Sequence, residues 1–137
     1  AAQQTVAHGA GETTILFAAE SFDPDSAFDI ANYKYVVPVT GIYMFNLQAR
    51  ISCTSISSPT NIQHVLKLKV GGVTRSTSED DVGTDTDGKT YGLNTYMQLT
   101  AGNEVTATYT PSIDSGSVNF EIVHDNNKSV FQGHRVI

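Results

Sequence analysis

The chain has 137 residues, the size of one ordinary domain, and its 8 basic and 14 acidic residues give a formal net charge of -6. This acidic balance argues against a nucleic-acid groove, which needs clustered lysine and arginine, and against a polybasic contact with a membrane. Cys53 is the only cysteine, so an intrachain disulfide is excluded. No run approaches the roughly 18 apolar residues of a transmembrane helix, and the sequence therefore predicts no membrane insertion.

Residues 1–11 are polar, include Gly9 and Gly11, and predict a flexible N-terminal arm ahead of a single domain at residues 12–137. The chain begins with Ala1, and its first residues have neither the charged region nor the apolar region of a signal peptide. Three origins fit this start: a cytoplasmically made protein trimmed of its initiator methionine, a processed chain, or a fragment of a longer one.

Alternating apolar and polar residues predict β-strands through most of the domain. Over residues 43–51 every second side chain is apolar, which is the period of a half-buried strand. A second alternating run, residues 62–70, is followed by Gly71-Gly72, which predicts a two-residue hairpin turn. The other strand candidates are residues 13–18, 35–38, 91–99, 105–109, 118–122 and 129–137.

Polar and turn-rich segments separate these strands. A Ser/Pro loop is expected at residues 55–60 and a long acidic loop at residues 76–90. The pattern is therefore eight to ten short strands with a turn about every 8 to 12 residues, which is typical of a β-sandwich or a β-barrel. The sequence contains no internal repeat and no linker to a second domain.

Four separated pieces of this pattern resemble one family, the complement C1q and tumour-necrosis-factor (C1q/TNF) jelly rolls. The pieces are residues 40–45, 66–72, 97–105 and 129–137. The first, Thr-Gly-Ile-Tyr-Met-Phe, follows an aromatic strand and Pro38, as in the opening of the C1q globular head. The third resembles the family's Leu-x-Leu-x-x-Gly-Asp-x-Val hairpin, with Asn103 in place of aspartate. The others are similar to its next core strand and its closing strand.

The resemblance implies an all-β jelly-roll sandwich of two sheets, assembled as a homotrimer. In this family the outer face of one sheet looks toward the threefold axis. The residues that we expect at such a trimer interface are Ile42, Met44, Gly92, Asn94 and Tyr96. Tyr96 suits an interface because its ring is large and its tip is polar; the alternative is that it only caps its own sheet. The absence of a collagen-like stalk and of tryptophan favours a bacterial or phage-type member.

No catalytic motif is found, and the sequence therefore predicts a protein that is not an enzyme. The four histidines, His8, His64, His124 and His134, are far apart and lack the spacing of a metalloprotease site. His64 falls on the apolar side of its predicted strand, which favours a core or interface histidine over a metal ligand.

The one candidate metal site lies in the acidic segment, where Asp85 and Asp87 are separated by one residue. Hard oxygen ligands with this spacing could hold Ca²⁺, but the EF-hand template fails because Gly83 and Asn94 would have to supply its first and last ligands. The alternative is a solvated acidic loop. No other cofactor is expected.

These observations predict a structural and recognition module on a virion surface, where a phage protein of this kind decorates the capsid or forms the head of a fibre. Its partners would be further copies of itself and capsid or fibre proteins. The alternative is an extracellular, lectin-like module, secreted or on a cell surface, that binds a cell-surface glycan with or without calcium. Recognition would use loops held by the rigid sandwich, but the sequence identifies no binding residue in them.

Overall fold

The computed structural model describes residues 3–17 and 23–137 of the chain. These residues form eleven β-strands and one short 3-10 helix, arranged as two antiparallel sheets around one core. The strands are β1 (Gln4–Val6), β2 (Thr13–Thr14), β3 (Phe28–Asp29), β4 (Lys34–Val36), β5 (Gly41–Thr60), β6 (Ile62–Val70), β7 (Val73–Gly83), β8 (Lys89–Leu99), β9 (Glu104–Ser112), β10 (Ser115–Val123) and β11 (Val130–Arg135), and the helix spans Asp125–Asn127. The predicted all-β jelly-roll sandwich is confirmed. No helix in the described ranges is long and apolar enough to cross a membrane.

Sheet I is built around β5, the longest strand. The first half of β5 pairs with β8 on one edge, over residues 41–51, and with β11 on the other edge, over residues 43–48. From Arg50 onward this second edge pairs with β10, and β1 lies outside β10. The period-two pattern of β5 permits this central position, because alternate side chains enter the core while the backbone bonds to both neighbours.

Sheet II has the order β3-β4-β9-β6-β7, with β2 alongside β9. The predicted hairpin is confirmed: Val70 lies opposite Val73, and both glycines between them have positive φ, at 57° and 82°. The strand predicted at residues 13–18 is regular only at Thr13–Thr14, and Ala18 lies outside the described residues.

The two sheets enclose a core rich in aromatic rings. The ring of Phe45 stands edge-on to Tyr35, with 5.2 Å between centroids, and contacts Phe131 at 5.8 Å. Gly133 on β11 lies opposite Phe45, and a Cβ at that position would meet the Phe45 ring at 2.5 Å. Glycine is therefore required at residue 133 by the packing of the aromatic cluster.

The acidic segment predicted as a loop at residues 76–90 is mostly strand. β7 and β8 occupy all of it except residues 84–88. Glu79 and Asp81 lie on β7, the edge strand of sheet II, where their side chains are exposed. The prediction was wrong because a run of charges also suits an edge strand, where charged side chains discourage pairing with another chain.

The Ser/Pro segment at residues 55–60 is also strand, contrary to the prediction of a loop. Ser55 and Ser58 have positive φ values of 51° and 43°, and the pairing of β5 with β10 shifts register in this region. The segment is therefore a bulged extension of β5. Its pairing partner lies about sixty residues away in sequence, and no local pattern indicates it.

Part of the predicted flexible arm at residues 1–11 is anchored to the sandwich. β1 pairs with residues 120–122 of β10, and the side chain of Val6 is only 1% exposed. This corrects the expectation of flexibility for residues 4–6. The boundary between an arm and the domain stays a prediction.

Candidate interaction face and acidic loop

The outward face of sheet I is formed at its centre by β8, β5 and β11 side by side. Since the odd-numbered side chains of residues 43–51 are buried in the core, the even-numbered ones point outward. Strand register then arranges the outward residues in rows across the sheet. The rows are Gln98–Ile42, Tyr96–Met44–His134, Asn94–Asn46–Gln132 and Gly92–Gln48–Val130.

All five residues predicted for a trimer interface lie on this one face. Tyr96 is directly opposite Met44, and its side chain is 69% exposed. Ile42, on the next row, is 36% exposed. Gly92 and Asn94 are exposed on the same side of β8. The alternation of the two strands thus placed them correctly, while their role as an interface stays a prediction.

The chain end adds a residue that sequence reasoning missed. The backbone N–H of Val136 donates to the carbonyl oxygen of Ile42 at 2.7 Å, which extends β11 along β5. The Val136 side chain is 48% exposed. We define the apolar patch as Ile42, Met44, Tyr96 and Val136. No signal in the sequence could have placed Val136 there, because β11 meets the start of β5 only in the folded chain.

Gly92 lies in the middle of β8, where nothing within the described chain requires a glycine. Its φ is outside the left-handed region, and a Cβ added at this position would have the carbonyl oxygen of Leu47 as its nearest atom, at an ordinary contact distance of 3.5 Å. Glycine weakens a strand interior and often marks a place where another backbone approaches closely. Gly92 lies on the same face as the apolar patch, two rows away, and is a position where the backbone of a second molecule could approach closely.

His64 is a core histidine, as predicted. Its Nδ1 lies 2.6 Å from the hydroxyl oxygen of Tyr109, and its ring packs among Tyr91, Tyr109 and Phe120. Burial lowers the pKa of His64 to about 4, so the imidazole is neutral near pH 7. Its position and its hydroxyl partner fit a packing role.

Cys53 is a partly buried free thiol on β5, two residues after the alternating segment 43–51. Burial, with a smaller contribution from the negative charge of Asp85, raises the pKa of this thiol. A raised pKa lowers the fraction of thiolate, which is the reactive form of cysteine. Cys53 therefore has the electrostatics of a structural cysteine.

The acidic loop, residues 84–88, contains both weak candidates for Ca²⁺ binding, Asp85 and Asp87. The ammonium of Lys89 donates to one carboxylate oxygen of Asp85, and the backbone N–H of Asp87 donates to the other at 2.9 Å. These two contacts lower the pKa of Asp85, with Lys89 contributing most. Within residues 3–17 and 23–137, no group of three or more His, Cys, Asp or Glu side chains is placed to hold a metal ion. The Ca²⁺ site and the solvated acidic loop both stay predictions.

Comparison with solved structures identifies the architecture. The globular domain of zebrafish complement 1qA protein is similar over 98% of this chain and 97% of that chain, with a TM-score of 0.54 and 14% sequence identity. The chain has a C1q/TNF-like jelly-roll fold. No protein-family model and no curated protein sequence matches it. This shared fold explains why the four sequence pieces occur in that order. Because the sequence identity is 14%, the comparison shows the fold alone.

Proposed function

We propose that this protein is a non-enzymatic homotrimeric structural and recognition module whose subunits meet through the outward face of sheet I. The observation that carries this proposal is the apolar patch, in which a 69% exposed Tyr96 adjoins exposed aliphatic side chains on one sheet face. Clustered exposed apolar residues mark interaction sites, and tyrosine is enriched in them. The resemblance to trimeric C1q-like domains implies the same face.

Gly92 supports the same assignment from a different direction. A mid-strand glycine costs stability relative to alanine, and its own chain leaves ordinary space for a Cβ there. Close approach of a neighbouring subunit would account for the missing side chain. The apolar patch and Gly92 thus lie on one face of sheet I.

The non-enzymatic part of the proposal is supported by the buried polar groups. His64 is directed at a tyrosine hydroxyl, and the thiol of Cys53 has a raised pKa. Neither has the surroundings of an activated nucleophile or of its base, which need a lowered pKa or an adjacent proton acceptor. These residues stabilise the core.

The surface that we propose for partner recognition is the end of the sandwich that carries the acidic loop. The polar connections there are held in place by side chains: the amide of Asn61 donates to Asp114 at 2.6 Å, and the hydroxyls of Thr60 and Ser115 are 2.6 Å apart. Rigidly held loops of hydroxyl, amide and carboxylate groups suit polar or basic partners.

The finer placement that we propose is a virion surface, with the module decorating a phage capsid or heading a fibre; the alternative is an extracellular lectin-like module. Gold-labelled antibody against the purified protein, applied to cultures of the source organism, separates the two. Label on phage particles would support the virion placement, whereas label confined to cell surfaces or secreted material would overturn it.

The trimer is tested by light scattering coupled to size-exclusion chromatography, with and without a calcium chelator. A mass near three times the 14.7 kDa chain in both conditions is expected. A monomer at all concentrations would overturn the proposal. A trimer that dissociates on chelation would instead give the acidic loop a structural role in assembly.

A further inference from the structure

Three carboxamide side chains form one complete row across the proposed interface. Asn94 on β8 and Gln132 on β11 lie on either side of Asn46 on β5. The side-chain amide of Asn46 donates to Oε1 of Gln132 at 3.3 Å. Asn94 is exposed, and the other two are half-buried. We call these three residues the amide row.

The amide row differs from the rows on either side of it. One neighbouring row contains Tyr96 and Met44 of the apolar patch with His134, and the other contains Gly92 and Val130 with a single carboxamide, Gln48. Each carboxamide has two N–H donors and a carbonyl that accepts up to two hydrogen bonds, so a single bond between Asn46 and Gln132 uses a small part of this capacity. When the face is covered, the remaining groups lose water and need partners in the neighbouring subunit.

A full set of carboxamide partners exists in only one alignment of the subunits. When equivalent rows meet, carboxamides face carboxamides and can bond to one another. A slip by one row, two residues or about 7 Å along the strands, would bring the three carboxamides against Tyr96, Met44 and His134 in one direction and against Gly92, Gln48 and Val130 in the other. Neither row offers three carboxamide partners, so part of the amide row would be left unbonded. The apolar patch has no comparable preference, because apolar contacts are not directional.

We infer that the amide row fixes the register in which copies of this chain associate, and thereby limits the assembly to a single stoichiometry, while the apolar patch supplies affinity. The inference rests on the proposed trimer. Its partner is a second and a third copy of this chain, and its residues are Asn46, Asn94 and Gln132. Buried polar side chains on an apolar interface set register in the same way in coiled coils.

The test replaces amides with leucine, which has a similar size. The variants are Asn94→Leu alone and Asn94→Leu combined with Asn46→Leu, and the matched control is Gln48→Leu, on the adjacent row of the same strand and the same face. Native mass spectrometry and light scattering give the distribution of masses. Because Asn94 is exposed on an edge strand, the single variant is expected to fold, which circular dichroism checks.

We expect a single trimeric mass for the unaltered chain and for the control, and several coexisting masses for both amide-row variants, without weaker association overall. A uniform trimer in the double variant would overturn the register inference and leave the proposed trimer intact. A monomeric unaltered chain would overturn both. A double variant that simply dissociates would also overturn the inference, because the amides would then supply affinity.

Discussion

Truncation of Tyr96 is the most direct perturbation of the proposed trimer. Its side chain is 69% exposed in the single chain, so Tyr96→Ala removes contacts that form only on assembly. The ring projects from the outward face rather than into the core, and β8 keeps its pairing with β5. We therefore expect the folded subunit to survive while association weakens.

The size of the effect follows from the exposed area. A buried aromatic side chain covers about 150–250 Å², so the 69% that is exposed here corresponds to about 100–170 Å². At about 25 cal/mol per Å² this amounts to about 2–4 kcal/mol for each subunit, or about 6–12 kcal/mol for three. The concentration at which half of a trimer dissociates scales with the square root of its dissociation constant. This midpoint concentration should therefore rise about 10²- to 10⁴-fold.

Sedimentation velocity over a dilution series measures this midpoint. Val73→Ala is the matched control, since Val73 is 64% exposed on the edge strand of sheet II and lies off the proposed interface. The control should dissociate at the concentration of the unaltered chain. A Tyr96→Ala protein that keeps the unaltered midpoint would refute the assignment of the face.

Three further outcomes follow from the structure. Gly133→Ala should lower the free energy of unfolding by about 1–3 kcal/mol in urea titrations, because its Cβ would meet the Phe45 ring at 2.5 Å; an unchanged midpoint would contradict the packing argument. Burial lowers the pKa of His64 from 6.5 to about 4, so the unfolded state binds the proton more readily than the folded state. The free energy of unfolding is therefore at its full value above about pH 6.5 and falls by about 3 kcal/mol as the pH drops to 4. His64→Phe should remove much of that slope in urea midpoints measured from pH 7 to pH 4, and an identical slope would assign it to other groups. Asp85→Asn should change the free energy of unfolding little, because its ion pair with Lys89 is solvent-accessible. Titration calorimetry of the unaltered chain should detect no Ca²⁺ binding. A heat of Ca²⁺ binding that is present in the unaltered chain and absent in Asp85→Asn would contradict this.

Period-two patterns and turn residues predicted the parts of the fold that depend only on nearby residues in the sequence. The alternation over residues 43–51 identified the central strand and its buried side chains, and Gly71-Gly72 identified a two-residue hairpin turn. The same alternation put Ile42 and Met44 on the outward face, where Met44 lies opposite Tyr96. In each case the signal lies within a few residues, so local sequence was sufficient.

Features that depend on distant pairing could not be predicted in this way. The strand at residues 4–6 exists because β10 is available beside it, and Val136 joins the apolar patch because β11 lies beside the start of β5. Ser55 and Ser58 adopt left-handed conformations that their own sequence would assign to a turn. The pairing partner decides these structures, and alternation carries no information about which strand that partner is.

The two long edge strands, β7 and β8, differ in how well they are protected against pairing with another chain. β7 and β8 each have 11 residues, and each pairs with one strand among the described residues. β7 carries Arg75 and three consecutive acidic residues, which protect an exposed edge against pairing with another chain. β8 has a single charge, Lys89, at its first position, and Tyr96 and Gly92 farther along. An edge that lacks this protection is expected to be covered in the working protein. The edge with this single charge borders the face with the apolar patch, so both observations support the proposed subunit contact on this side of sheet I.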